Sequence, residues 1–241
     1  MNMPFIFETL LKLLPGVPLT LQLAASSIAL GAALGLGIAL MRLSRARPLT
    51  AFAWLYVQVI RSVPLLVMIF LVYYGLSQFA TIRSSILWPF LREPYWCALL
   101  ALTINTSAYA SEIIRGGLLS VRRGELEAAY ACGMSRALTF RRIVLPVAIR
   151  QALPAYSNEM ISMVKATSLA SLVTLMDVTG IAASIASETY RPVDVFVAAG
   201  AVYLAINFIL TRAVMLVEYR LTPHLRNRPV SPAPSVEETL I

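Results

Sequence analysis

Long uncharged runs alternate along this chain with short stretches rich in arginine. No charge occurs between Lys12 and Arg42, only Arg61 between Pro48 and Ile82, and none between Pro94 and Ser111. A helix needs about 20 apolar residues to cross a bilayer, so these runs predict spans over about 18–41, 57–80 and 95–117. A fourth, over about 155–175, carries Glu159 and Lys165, and a fifth covers about 194–217. Gly31 and Gly35 form a small-xxx-small pair in the first span, which lets another helix approach closely. Pro64 either sits in the first turn of the second span or kinks it. Ahead of the spans, residues 1–17 hold Phe5, Ile6, Leu10, Leu13 and Leu14 with Glu8 and Lys12 between them. That pattern predicts an amphipathic interfacial helix, ended by Pro15–Gly16.

One region breaks the rule. The stretch "ELEAAYACGMSRALTFRRIVLPVAIRQALP", Glu125–Pro154, is polar yet helix-forming. A first short helix begins with glutamates and ends at Gly133, and Ser135 can cap a second that stops before Pro146. Neither is long or apolar enough to span. Beyond the fifth span, residues 221–241 are basic and then rich in Pro and Ser, with an acidic end, which predicts a disordered tail.

Composition agrees with a membrane chain: 59% hydrophobic and 13% charged, against about 25% charged in soluble domains. The net charge of +8 is therefore read as topology. Three Arg lie in 42–47, seven in 115–150 and four in 212–228, against Lys12, Arg83, Arg92 and Arg191 on the other side. The positive-inside rule then places the N-terminus outside and the polar segment and C-terminus in the cytoplasm. Basic residues that track one membrane side exclude a nucleic-acid-binding role. Cys97, Cys132 and His224 have too few companions for a disulfide framework or a metal site. The N-terminus lacks the basic start of a cleavable signal. The fold class is all-α, a polytopic membrane protein of five transmembrane helices.

The polar segment also resembles a known element. In "ELEAAYACGMSRALTFRRIVLP", Glu127, Ala128, Ala129 and Gly133 match the core of the EAA loop of binding-protein-dependent ABC importer permeases, and Ile143, Leu145 and Pro146 match its downstream end. "RSVPLLVMIFLVYYG", "AYASEIIRGG" and "RQALPAYSNEMISMVKATSLAS" are similar to further elements of the polar-amino-acid branch, the histidine/glutamine type, in the same order. The resemblance covers about 15–220. It implies the type I importer permease fold, with a permease domain over 18–220 and a cytoplasmic coupling loop at about 121–150. It implies that Glu127, Ala128, Ala129 and Gly133 contact an ATPase dimer that binds ATP and Mg. It also implies a second permease subunit, identical or similar, a periplasmic substrate-binding protein, and a bacterial inner-membrane location among membrane lipids. The substrate would be a polar amino acid, with basic amino acids or opine-like compounds favoured. The chain itself has no cofactor and no P-loop: its only lysines, Lys12 and Lys165, follow Leu11 and Val164 rather than a Gly-rich turn. It is thus a transporter subunit and not an enzyme.

Charges inside spans are functional candidates. Arg61, Glu112, Glu159 and Lys165, with Asn158, Thr167 and Ser168, could line the path of a zwitterionic substrate. Each also has a structural alternative. Glu112 can pair with Arg115, Glu159 with an arginine, and Lys165 with a glutamate of a neighbouring subunit. Arg61 can snorkel to headgroups, and the three neutral residues can bridge helices. Two rival functions stand beside the importer: an ion-driven secondary transporter, which leaves the coupling-like loop unexplained, and a non-transporting scaffold, for which the intramembrane charges are dispensable.

Overall fold

Proline and glycine mark where the helices of this chain bend more often than where they stop. A computed structural model describes residues 3–221, and their regular elements are all helical. His224 and the tail beyond Leu221 lie outside the described residues. Helix α1 (Met3–Leu13) passes through a single 3-10 turn at Leu14–Gly16 into α2 (Val17–Arg42), so Pro15–Gly16 joins two helices of one 40-residue run. Pro15 is tolerated there because it falls in the first turn, where its missing N–H would have no partner anyway. α1 is amphipathic as expected: one side packs on protein, while Phe7, Leu11 and, just after the helix, Leu14 remain exposed. Ile6 and Leu13 are buried in a core with Val178, Ala182, Val195 and Ala198 of later helices.

The predicted second span is two helices. α3 (Arg47–Ser62) and the segment that starts with α4 (Leu65–Phe70) meet at 103°. The break has a local cause: Pro64 forces Val63 into extended geometry (φ −89°, ψ 126°). The segment continues as a wide π-turn at Leu71–Gly75 and a 3-10 turn at Leu76–Gln78. Two single turns, α5 (Ala80–Arg83) and α6 (Trp88–Leu91), lead to α7 (Pro94–Leu119), which starts on a proline at its first turn.

α8 (Arg123–Ala131) ends as its sequence predicts. Gly133 takes φ +76°, its N–H donates to the Tyr130 carbonyl (2.9 Å), and Met134 N–H donates to the Ala129 carbonyl (3.0 Å). That pair of bonds is the Schellman reversal, and it needs the left-handed residue that glycine supplies without strain. Ser135 caps α9 (Arg136–Thr139), accepting from Leu138 N–H. The expected stop before Pro146 does not occur. A π-turn at Phe140–Val144 leads directly into α10 (Leu145–Ala166). A proline ring collides with the carbonyl four residues back in a regular helix; here that carbonyl lies in the widened turn, and Pro146 occupies the first turn of α10. The helix then runs through Pro154.

α10 tightens into a 3-10 helix at Thr167–Val173, then α11 (Val178–Thr189) and α12 (Pro192–Leu221) follow. Asp177 caps α11, its Oδ1 accepting from Gly180 N–H at 2.8 Å and its Oδ2 from the Tyr203 hydroxyl at 3.1 Å. The run containing α2, with α7 and α12, gives three helices long and apolar enough to cross a membrane, and the two bent pairs raise this to five. A second core gathers Leu23, Ile69, Ala98, Leu102, Met163 and Val173, from α2, α4, α7, α10 and the 3-10 turn. Large apolar side chains elsewhere point outward, Leu204, Ile209 and Leu216 being 72%, 67% and 63% exposed. So broad an apolar surface suits lipid and would aggregate in water.

α2 and α7 approach closely at the glycine pair. A Cβ on Gly35 would lie 2.9 Å from the Ala110 Cβ, and one on Gly31 would collide with the methyl of Thr106. The small-xxx-small pair thus does what its spacing predicts.

Candidate functional site

α7 and α10 carry short polar patches inside apolar helices, and these patches face each other. Asn105 and Tyr109, four residues apart on α7, share a cavity of about 260 Å³ with Glu159, Ser162, Met163 and Ala166 of α10. The α10 positions recur at three- and four-residue steps, which is one face of a helix. Asn105 lies 11 residues from Pro94 and 14 from Leu119, so at about 1.5 Å per residue the cavity is ~17 Å from one end of the span and ~21 Å from the other. It sits near the middle of the α7 span.

Glu159 is held at its edge. Its Oε1 accepts a hydrogen bond from the Thr106 hydroxyl at 2.8 Å, and no ion pair involves it among the described residues. The room that Gly31 leaves on α2 is occupied by Thr106, so a glycine on one helix sets the place of a hydroxyl on the second and a carboxylate on the third. Tyr109, which lines the cavity, has the Arg61 guanidinium 5.0 Å from the centre of its ring, within cation–π range. The Tyr56 hydroxyl anchors α3 to α7 at Ser107 (2.7 Å) and the Ile104 carbonyl (3.2 Å). The break at Val63–Pro64 ends α3 just after Arg61. The cavity therefore offers an under-partnered carboxylate and neutral polar groups, one of which, Tyr109, carries the Arg61 guanidinium on its ring.

Of the residues singled out in the sequence, Arg61 and Glu159 are brought together here. Glu112 is not. Its carboxylate accepts from Arg115 at 2.6, 3.1 and 3.2 Å and from Arg42 at 3.2 Å. It clamps the ends of α2 and α7, realising the Arg115 pairing and adding a partner from another helix. Thr167 and Ser168 spend their hydroxyls on the carbonyls of Val164 (2.8 Å) and Lys165 (2.7 Å). Lys165 sits at the end of α10, not its centre, and together with Asn158 faces α12. Asn105 and Tyr109 are absent from the sequence reading because no charged residue adjoins them, and Ser162 because it lies between the charges rather than beside one. A polar pair four residues apart inside an uncharged span was the signal that could have found them.

In the coupling-like segment Glu127 and Ala128 are exposed, whereas Ala129 is 4% exposed. Ala129 is used inside the loop, beneath the Gly133 reversal, and only Ala128 is open to a partner.

The family described as the inner membrane component of binding-protein-dependent transport systems matches residues 28–223, which include both the cavity and this loop. The chain belongs to that family. This permease chain is 59% identical over 228 residues to the octopine transport system permease protein OccM of Rhizobium meliloti, spanning 94% of this chain and 93% of that one. It is 38% identical over 214 residues to the histidine/lysine/arginine/ornithine permease protein HisM of Salmonella typhimurium, spanning 88% and 91%. A solved amino acid ABC transporter with histidines has the same fold, with a TM-score of 0.80 and 34% identity over 91% of this chain and 99% of that one. The chain is a membrane-embedded permease subunit of an amino acid or opine ABC importer.

Proposed function

We propose that this permease imports a basic amino acid or an opine built on one. The carrying observation is the mid-span cavity lined by Glu159 and Tyr109, with the Arg61 guanidinium against the Tyr109 ring. A substrate with a guanidinium or ammonium side chain would place that cation at Glu159 and its carboxylate at Arg61. In such a low-dielectric site each pairing is stronger than in water, and leaving either charge unmatched is unfavourable. A neutral amino acid would leave Glu159 with Thr106 alone. The substrates in the names of OccM and HisM support this class.

The remaining parts follow from the family. A periplasmic binding protein delivers the substrate at the bacterial inner membrane, and a second permease completes the path. α8 docks on an ATPase dimer that binds ATP and Mg, with Glu127 and Ala128 toward the partner and Gly133 setting the angle to α9. Closure of the ATPases moves α8 and re-orients the spans between outward and inward access. The arginine-rich side, with α8 and the C-terminus, is cytoplasmic and the N-terminus periplasmic. An ion-driven carrier has no need of such a loop.

The test is uptake into vesicles that hold the assembled transporter and ATP, with the binding protein outside. Arginine or octopine should be taken up in preference to glutamine or leucine, and Gly133→Pro should abolish uptake and binding-protein-stimulated ATP hydrolysis in a complex that still assembles. Uptake driven by an ion gradient in the absence of ATP would refute the reading.

A further inference from the structure

Resting on the reading that two permeases surround one path, we propose that the groove between α10 and α12 seats a membrane helix of the second permease, which presents a carboxylate to Lys165. The groove measures about 590 Å³ and is lined by Lys165, Gly200, Tyr203, Leu204, Asn207 and neighbours. Tyr203 lies 11 residues from Pro192 and 17 from Arg220, so this level is ~17 Å from one end of the span and ~26 Å from the other. An ammonium at that depth is unfavourable unless an anion meets it. No carboxylate pairs with Lys165 among the described residues. Lipid phosphates lie at the headgroups, too far for its stem to reach by snorkelling. The anion must therefore come from a solute or from another protein chain.

Two observations favour a chain. Lys165 lies six residues from Glu159, about 120° around α10 at ~100° per residue, and it lines the groove toward α12 rather than the cavity toward α7. Gly200 has no heavy atom within 4 Å of where a Cβ would stand, and Leu204 beside it is 72% exposed. The same two helices carry the groove onward to Asn158 and Pro154. From Pro154 to Lys165 is 11 residues, or ~17 Å, three turns of a partner helix. An open three-turn seam, with an unpaired ammonium at Lys165 and Glu218 at its far end, fits a helix that carries a carboxylate opposite Lys165.

The experiment places a photoreactive amino acid at Leu204 in the fully assembled transporter, in membranes, and identifies the adducts by peptide mass. The expected adduct is a peptide of the second permease with an Asp or Glu inside an apolar run. Lys165→Glu should cut it about tenfold, the equivalent of about 1.4 kcal/mol, and Lys165→Arg should retain it. Adducts with lipid chains alone, or an unchanged yield in Lys165→Glu, would overturn the proposal. A raised KM for uptake with unchanged adducts would also overturn it, because Lys165 would then serve the substrate. Native mass of the wild-type complex separates the two levels. One permease per complex would sink the two-permease reading itself, whereas two permeases without the Leu204 adduct would sink only this surface.

Discussion

Glu112 and Glu159 are both glutamates within apolar spans, and both face a neighbouring helix. Glu112 is surrounded by two guanidiniums; Glu159 has one hydroxyl and a cavity beside it. A buried carboxylate with its charge matched inside the chain holds helices together. One left short of a cation is unfavourable until something supplies it, and in the function proposed here that something is the substrate. Counting charged partners, rather than locating charges, separates scaffold from site.

Neutralising each glutamate should break the comparison if it is wrong. Glu159→Gln removes one partner of a desolvated charge pair in the loaded state, a change worth about 2 kcal/mol or more, so uptake efficiency for arginine should fall about 30-fold with melting temperature unchanged. Glu112→Gln should do the reverse. It leaves Arg42 and Arg115 without an anion, at about 1–2 kcal/mol because the cluster is partly exposed. The purified complex should melt a few degrees lower, while uptake per folded complex stays within about twofold, the scatter that a change of a few tenths of a kcal/mol produces.

Smaller changes sharpen the contrast. Gly31→Ala adds a methyl where the Thr106 side chain sits, which should displace the hydroxyl from Glu159 and lower arginine uptake about fivefold, an overpacking effect of about 1 kcal/mol. Thr106→Val keeps the shape and removes only the hydrogen bond. Its effect should be the smallest, about 0.5–1 kcal/mol in KM, and uptake of neutral amino acids should be unaltered.

Much of the scaffold was legible in sequence. Uncharged runs located α2, α7 and α12, because charge is excluded from hydrocarbon whatever the packing. The Gly31/Gly35 spacing announced the α2–α7 contact, and Gly133 its reversal. The bends were harder. Pro64 was ambiguous between a first-turn proline and a break, and Pro146 was read as a stop because a π-turn at Phe140–Val144 has no local signature. α1 looked interfacial since only tertiary packing shows that α11 and α12 cover Ile6 and Leu13. Within the site, charge made Arg61 and Glu159 visible. Asn105, Tyr109 and Ser162 stayed hidden because no charged residue adjoins them. For Glu112 the sequence offers both a path role and the Arg115 pair; its other partner, Arg42, is 70 positions away in the chain and leaves no local signal.

The most direct test is equilibrium binding of labelled arginine to the purified permease–ATPase complex without binding protein, comparing wild type, Glu112→Gln and Glu159→Gln. Wild type and Glu112→Gln should bind with equal affinity, and Glu159→Gln should bind at least tenfold more weakly. Equal affinity in all three would contradict the assignment of the α7–α10 cavity as the substrate site.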